Sequence, residues 1–410
     1  MIERQQAEQL AAVWARRDSE RLGFPCTPVV EEFDLGYLVM STVAAAARAL
    51  PGDLPTTVID KETGEVSTWP RVPAAVVEQM FRQRRPTGPA APRTVDPADQ
   101  LLREITRLPT PGAAAHLTLD GRTHVAHGAK GDLELRHHPL VQSYLDGLPP
   151  GHLVRGGERH AEMIVVSDVL HEQDHRRAAE ALPPLTIEEA RALLGSGRFE
   201  VLRIREPGDP AGGPAELPCD SCITFLVRFN VLPWSDLAHT EESRPEPRQV
   251  IQPGRFPDEV GHALMSAGWQ ISMFNEALAM GAIADTRKIA GRQHRHEVFP
   301  AAERTLTAFP AILSHRRGPG RDVWISEFTT NPVRGAHSAD TLADFGAVLG
   351  TRLFPLGSER QESILAVDER GRVFALDQAG EWFLGADIDA ALTTLLLGRA
   401  PGRVRDDGTW

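Results

Sequence analysis

Four side chains in two short motifs have the types and spacing that metal-assisted hydrolysis needs. The first motif is H-x-E, formed by His160 and Glu162, and the second is P-C-x-x-C, which contains Cys219 and Cys222. An imidazole and two thiolates suit zinc, and three protein ligands leave its fourth position open for water. A carboxylate that is not a ligand can move protons between that water and a leaving group. The sequence therefore predicts zinc as a cofactor, held by His160, Cys219 and Cys222, with Glu162 as the catalytic group.

The second motif is suited to the start of a helix. Cys219 and Cys222 are three residues apart, so they share one face of a helix. Pro218 suits the first turn, where its missing N–H has no cost. The helix dipole at that end favours the thiolate, which is the form that binds metal. The apolar run 222–229 predicts that this helix is buried, and residues 163–170 predict a second helix after Glu162.

Each motif also has a structural interpretation. A lone C-x-x-C occurs in redox pairs and in structural zinc sites, and a lone H-A-E is common. Both motifs in this order, with a proline before the first cysteine, are typical of zinc-dependent base deaminases. The structural alternative that remains is a closed zinc site with a fourth ligand, for which His171, His175 and His152 are candidates.

On these motifs, residues 100–237 resemble the cytidine deaminase-like superfamily, and within it the YwqJ-like deaminases. The resemblance implies a three-layer α/β/α domain with a mixed sheet and with both zinc-ligand helices on one side. It also implies hydrolytic deamination of a base in a nucleic acid or nucleotide. Alternating residues around Asp120-Gly121 predict a hairpin, and 199–205 predict the strand between the two motif helices.

The segment between the motifs is longer than in compact nucleoside deaminases. Thr186 and Glu189 form a capping-box pattern that predicts an inserted helix. Strands after the cysteine helix are hard to find, and 230–236 offers one at most. Phe225 and Phe229 are either pocket walls or core residues, and core packing is favoured.

Length and composition constrain the rest of the chain. The 410 residues suffice for two or three domains, and the net charge of −12 argues against a broad polyanion-binding surface. A group of arginines could either make a local nucleic-acid contact or form a solvated surface, and neither alternative is favoured: Arg82, Arg84, Arg85, Arg93, Arg103 and Arg107.

The three cysteines predict a reducing cytoplasmic location, with Cys26 as a small buried residue. No apolar run reaches membrane-spanning length, so no membrane partner is expected.

Two proline-rich stretches, 84–97 and 241–253, divide the chain as linkers. Residues 1–85 predict a small α+β accessory domain, with a helix over 3–22, a hairpin around 61–64 and a closing helix over 74–82. We expect it to have a structural or partner-binding role. The chain is thus predicted to be an α/β and α+β multidomain protein, with domains at 1–85, 100–237 and 254–402.

The last region, 254–402, predicts an antiparallel sheet with flanking helices. Predicted helices cover 260–269, 301–313 and 387–397, and predicted strands cover 322–328, 363–368 and 372–377. His294 and His296 are expected at the surface. The region resembles the SUKH superfamily of immunity proteins in five short motifs: Ala267-Gly268-Trp269, Gly318-Pro319-Gly320, Leu349-Gly350, Leu353-Phe354-Pro355-Leu356-Gly357 and Gly371-Arg372-Val373-Phe374. The resemblance implies binding of a toxin protein and no catalytic residues.

Three functions follow from this organisation. The first is a deaminase of nucleic-acid or nucleotide bases fused to an immunity-type domain, as in a bacterial toxin-immunity system. The second is a non-catalytic immunity or decoy protein in which zinc only supports the fold. The third is a deaminase of free nucleosides. The base, the choice between DNA and RNA, and the relation between the two domains stay open at the level of sequence.

Overall fold

The computed structural model describes residues 2–22, 25–43, 56–69, 73–84, 103, 106–132, 134–215, 217–233, 255–269, 275–360 and 363–410. We call residues 2–84 the N-terminal region, 103–233 the middle region and 255–410 the C-terminal region. The described residues form eleven α-helices and three β-sheets, which confirms the predicted mixed class. No helix among them is both long and apolar enough to span a bilayer. Apart from residue 84, the two predicted linkers lie outside the described residues.

The N-terminal region packs a helix on each face of a sheet whose first four strands, β1 to β4, pair antiparallel in chain order. Its elements are α1 (Arg4–Leu22), β1 (Cys26–Glu32), β2 (Gly36–Val43), β3 (Thr56–Asp60), β4 (Val66–Trp69) and α2 (Ala74–Arg84). Both helices and the β3–β4 hairpin were predicted, but β1 was not. Pro28 and two glutamates interrupt its alternation, and a proline is tolerated because β1 is an edge strand. Cys26 lies in β1 and is half-buried, so the prediction of a buried cysteine was wrong.

The middle region places helices against a small sheet of strand order β6-β5-β8-β9. Its elements are β5 (Gly112–Leu119), β6 (Arg122–His127), β7 (Glu134–Leu135), α3 (Pro139–Asp146), α4 (Ala161–Ala179), α5 (Ile187–Leu194), β8 (Arg198–Ile204), β9 (Gly213–Pro214) and α6 (Asp220–Arg228). The predicted β5–β6 hairpin turns at Asp120 and Gly121, whose φ values of 49° and 77° suit a primed turn. Ala115 and Leu117 of β5 pack in one core with Val165 of α4. The sheet thereby supports the helix that begins after His160.

The sheet of the middle region differs from the expected mixed sheet. The sheet of this region is antiparallel throughout its described strands. The mixed sheet is the N-terminal one, because β7 adds to β4 in parallel. The single strand proposed for 230–236 is also absent from the described residues 230–233. Asn230 turns the chain there with a φ of 62°, and its side chain caps the carbonyl of Arg191. The described part of this sheet therefore contains no strand that follows α6 in the chain.

The C-terminal region is built on a seven-stranded antiparallel meander, β10 through β16 in chain order. Its elements are α7 (Asp258–Ser266), α8 (Glu276–Lys288), α9 (Pro300–Ala308), β10 (Leu313–Ser314), β11 (Phe328–Thr329), α10 (Ala339–Leu349), β12 (Leu353–Glu359), β13 (Ser363–Asp368), β14 (Val373–Asp377), β15 (Gly380–Gly385), α11 (Ile388–Leu397) and β16 (Gly402–Arg403). Residues of β13 and β14 alternate between two cores: Leu365 and Val373 face one core, and Ile364 and Phe374 the other. Both faces of the sheet are thus covered.

The strand predicted for 322–328 is largely irregular. Its backbone donors find partners outside a ladder: Val323 N donates to Gly398 O, and Trp324 N donates to Leu153 O of the middle region. Only Ile325, through a bridge to Gly318, and the short β11 retain extended pairing. This segment therefore contacts the middle region through its backbone, which strand-forming residue types alone do not reveal.

Candidate active site

The two predicted motifs meet at the N-termini of two helices. His160 is the N-cap residue of α4 and Cys219 is the N-cap residue of α6, while Cys222 lies in the first turn of α6. Pro218 precedes the cap, so its expected place in the first turn was wrong by two residues. The two helix ends direct their partial positive charge at the same point, where thiolates are favoured. All three side chains are buried.

The distances between the three donor atoms fit a zinc ion. His160 Nδ1 lies 3.5 Å from Cys219 Sγ and 3.4 Å from Cys222 Sγ. Ligands at typical zinc distances in tetrahedral geometry have their nitrogen and sulfur atoms about 3.6 Å apart. Two thiolates and an imidazole are also the donor set that zinc prefers. These residues can therefore hold zinc with little rearrangement.

None of the three histidines considered as a fourth ligand joins this group. Among the described residues, the only group of three or more potential metal ligands close enough to share an ion contains His160, Cys219 and Cys222. His171 stacks edge-on against His138 instead, with ring centroids 5.0 Å apart. His152 directs Nδ1 toward the carbonyl of Pro150. Among the described residues the group therefore has three members, the number of protein ligands typical of an open zinc site.

The proposed ligand side chains shift one another's pKa. A hydrogen bond from Cys222 holds the pKa of Cys219 well below its ordinary value, against the effect of burial and with help from the charge of His160. Burial alone would lower the pKa of His160, but the neighbouring Cys219 raises it to about 10. Both shifts favour the charged forms of these side chains, and metal binding requires the thiolate and the deprotonated imidazole nitrogen.

Glu162 lies in the first turn of α4 and is only 1% exposed. Burial raises the pKa of its carboxyl group above the ordinary value, opposed by the charge of His160. Its Oε2 accepts a 3.4 Å hydrogen bond from Nε2 of Gln378, a residue of the C-terminal region. Glu162 is not among the clustered ligand residues, as a proton carrier requires.

A narrow cavity leads to Glu162 along β8. Val201 and Arg203 of β8 and Arg205 just after its end line the cavity together with Pro218 and Gln378. Its enclosed space holds about one water molecule. The strand was predicted, but the place of Arg203 and Arg205 beside Glu162 was not. The signal available in the sequence was their spacing of two residues, which places both side chains on one face of an extended segment.

Other candidates have structural surroundings. Phe225 and Phe229 are fully buried and pack against Tyr144, as core residues do. His294 is exposed as predicted, but His296 is buried and bonded to Ala336 O, so that prediction was wrong.

The arginines proposed for nucleic-acid contact have different surroundings. Arg82 pairs at the surface with Asp34 and Glu78. Arg103 and Arg107 are buried and pair with Asp344 and Asp406 of the C-terminal region, so neither faces solvent. The other three side chains lie outside the described residues: Arg84, Arg85 and Arg93.

Comparisons with protein families give a deaminase-like region joined to an immunity-type region. Residues 100–231 match the family of YwqJ-like deaminases, and residues 256–398 match the SUKH-3 immunity proteins. The chain thus contains a YwqJ-like deaminase domain followed by a SUKH-3 immunity domain. Residues 5–88 match the immunity protein 35-like domain. No curated protein and no solved structure matches the chain.

Proposed function

We propose that the middle region is a zinc-dependent hydrolytic deaminase of a nucleic-acid or nucleotide base, with zinc held by His160, Cys219 and Cys222. The observation that carries the proposal is the approach of His160 Nδ1 to both sulfurs, 3.5 and 3.4 Å, beside the buried Glu162. When bound, zinc would lower the pKa of a water molecule to about 7. The match to YwqJ-like deaminases supports the same chemistry.

In this mechanism Glu162 carries both protons that the reaction moves. Water bonds through its oxygen to the amine-bearing carbon of the ring, and Glu162 transfers one of its protons to the adjacent ring nitrogen. Glu162 then transfers the remaining hydroxyl proton to the amine, the C–N bond breaks, and ammonia leaves. The products are a carbonyl base and ammonia, and Glu162 ends as the carboxylate with which it began.

The substrate class is supported by charge. Arg203 in β8 and Arg205 just after its end line the cavity beside Glu162. Guanidinium groups suit phosphate oxygens, which nucleotides and nucleic acids carry and free nucleosides lack. A base in a duplex would have to be flipped out, so single strands are the simplest polymer substrates. We therefore place the free-nucleoside alternative below the phosphate-bearing one.

The toxin-immunity context belongs to the same proposal. The SUKH-3 match supports a protein-binding role for the C-terminal region, with a toxin as the partner. We propose that the chain acts in the cytoplasm, where its cysteines stay reduced. The non-catalytic alternative is favoured by one observation, namely that a side chain of the C-terminal region contacts Glu162.

The test is a deamination screen of the full chain loaded with zinc. Cytosine, adenine and guanine would each be offered as nucleoside, nucleotide, single-stranded DNA and single-stranded RNA, and ammonia and base products would be measured. Glu162→Gln should lose about 10² to 10⁴ in rate while the zinc content stays unchanged. Arg203→Gln should raise KM for the phosphate-bearing substrate alone. Activity that survives Glu162→Gln would overturn the assignment.

A further inference from the structure

The turn between β14 and β15 lies over the candidate active site. At its tip Gln378 is 7% exposed. Its Oε1 accepts a 3.2 Å hydrogen bond from the backbone N–H of Ala161, and its Nε2 donates to Glu162 Oε2 at 3.4 Å. A side chain of the immunity domain therefore contacts both the backbone of the H-x-E motif and the proposed proton carrier.

The carboxamide of Gln378 presents hydrogen-bonding groups like those of an aminated base. It carries a hydrogen-bond acceptor and an NH2 group on one planar carbon. The reacting carbon of cytosine, adenine or guanine likewise carries an amine and lies next to a ring nitrogen acceptor. Gln378 thus engages the site with the same pair of groups that a substrate base would present.

Charged contacts hold the turn in place. Arg155 of the middle region lies 2.8 Å from Glu359 Oε2 and 2.9 Å from Asp377 Oδ2, and all three side chains are about nine-tenths buried. Asp377 also accepts hydrogen bonds from Ala379 N and Trp382 Nε1, at 2.9 and 3.0 Å. The position of Gln378 is therefore fixed from both domains.

A second contact reaches the cysteine motif. Asp220, between the two cysteines, pairs with Arg317 and Arg360 and accepts a 3.1 Å hydrogen bond from Trp324 Nε1. All three partners belong to the C-terminal region. The immunity domain thus contacts both helix N-termini that carry the proposed zinc ligands.

The two surfaces are closely packed around this turn. A Cβ atom at Gly128 would lie 2.6 Å from Gln378 O, and one at Gly156 would lie 2.7 Å from both Ala379 Cβ and Trp382 Cζ2. The cavity that remains beside Glu162 and Gln378 holds about one water molecule, which is far too little for a base. A substrate therefore requires this turn to move away.

We propose that the SUKH-3 domain is the inhibitor of the deaminase domain in its own chain, and that Gln378 closes the active site. This inference rests on the proposed deaminase function of the middle region. The partner that fits the binding face of the SUKH-3 domain is a deaminase domain of this kind. A toxin in another chain would have to displace the attached domain to reach the same face.

Two variants open the site by different means. Gln378→Ala removes both hydrogen bonds, and Gly128→Ala inserts a methyl group against the backbone of the turn while every polar group remains. The matched controls are Gln293→Ala, at an exposed position in the same region, and Gly281→Ala, where a Cβ meets no atom within 4 Å. All variants carry Cys26→Ser, so that a thiol reagent reports only on Cys219 and Cys222.

The first readout is the rate at which iodoacetamide alkylates the two motif cysteines in the metal-free full chain. Losing two hydrogen bonds at a buried contact should raise the open population, and hence the alkylation rate, at least about tenfold. The second readout is deamination by the zinc-loaded chain, which should rise by a similar factor. Cooperative thermal unfolding of each variant verifies that it is folded. The two control variants should match the parent chain in both readouts.

The outcomes separate the two proposals. Faster alkylation in both variants with no deamination of any base would support the proposed closing contact and overturn the deaminase function. Unchanged alkylation and unchanged deamination in both variants would overturn the inhibitory role, and activity of the parent chain would then uphold the function alone. Because Gly128→Ala retains Gln378, its agreement with Gln378→Ala excludes a direct effect of the lost amide on the chemistry.

Discussion

Lys130 is a buried cation at the boundary between the middle and C-terminal regions. Its Nζ donates a 3.0 Å hydrogen bond to Thr110 O. Burial lowers its pKa to about 8, with Arg107 acting in the same direction and the carboxylates of Glu381, Asp377 and Asp344 opposing. Ordinary lysine in the unfolded chain has a pKa near 10.4. Keeping this ammonium charged below pH 8 therefore weakens the folded state.

Release of the Lys130 proton makes the unfolding free energy depend on pH. Between about pH 8 and 10.4 the folded chain has released the Lys130 proton and the unfolded chain still holds it, so stability rises with pH. From pH 7 to pH 9 the wild type should gain about 1 kcal/mol in unfolding free energy relative to Lys130→Met. Denaturant unfolding of both proteins at the two pH values measures this difference. A constant difference, or one that moves the opposite way, would contradict the assignment.

At the residue scale, the proposed ligands and Glu162 could be chosen from sequence because their chemistry imposes residue types and order. Gln378 could not be chosen, since a glutamine in a β-turn carries no signal of what it contacts. The burial of His296 was also missed. Its partner Ala336 O is 40 residues away, and the polar residues around it suggest an exposed loop.

At the element scale, the inserted helix α5 is set by its cap. Thr186 Oγ1 accepts from Glu189 N at 3.3 Å, and Glu189 Oε2 accepts from Thr186 N at 2.9 Å. Thr186→Ala should lower the unfolding free energy by about 1 kcal/mol, because the first turn loses a side-chain acceptor. Ser143→Ala, on the exposed face of α3, should change it by no more than about 0.5 kcal/mol. Equal effects of the two substitutions in chemical denaturation would show that the cap is dispensable.

Elements with a strong local signal were predicted well, and those fixed by tertiary contacts were not. The β5–β6 hairpin has clear alternation and a turn sequence, and α11 has Asp387 as its N-cap and Gly398 as its end. The irregular segment 322–328 has strand-forming residues but gives its backbone donors to Gly398 and Leu153. Long-range partners of that kind are set by the fold as a whole, and local propensity does not encode them.

At the scale of the whole molecule, buried ion pairs join the middle region to the C-terminal region. Arg107 pairs with Asp406, and the two side chains are 5% and 0% exposed. Replacing Arg107 removes the ion partner of a buried carboxylate, which is costly. Arg107→Met should therefore lower the unfolding free energy by about 3 kcal/mol. Lys288→Met, which removes an exposed pair with Asp285, should change it little.

Unfolding followed by intrinsic fluorescence and by far-ultraviolet circular dichroism measures both effects. Because the ion pair spans the two regions, its loss should shift both signals together. A shift confined to one signal, or an Arg107→Met effect as small as that of Lys288→Met, would argue that the contact between the regions adds no stability. The docking could not be predicted from sequence, since both regions are acceptable folds when considered alone.

Native mass spectrometry of the full chain purified from zinc-containing medium tests the proposed metal centre most directly. We expect about one zinc per chain in the wild type, in Glu162→Gln and in His171→Ala, and almost none in Cys222→Ser, because only the last removes one of three ligands. Full zinc retention in Cys222→Ser, or a wild type that binds no zinc, would contradict the account. Loss of zinc in His171→Ala would instead indicate a closed structural site.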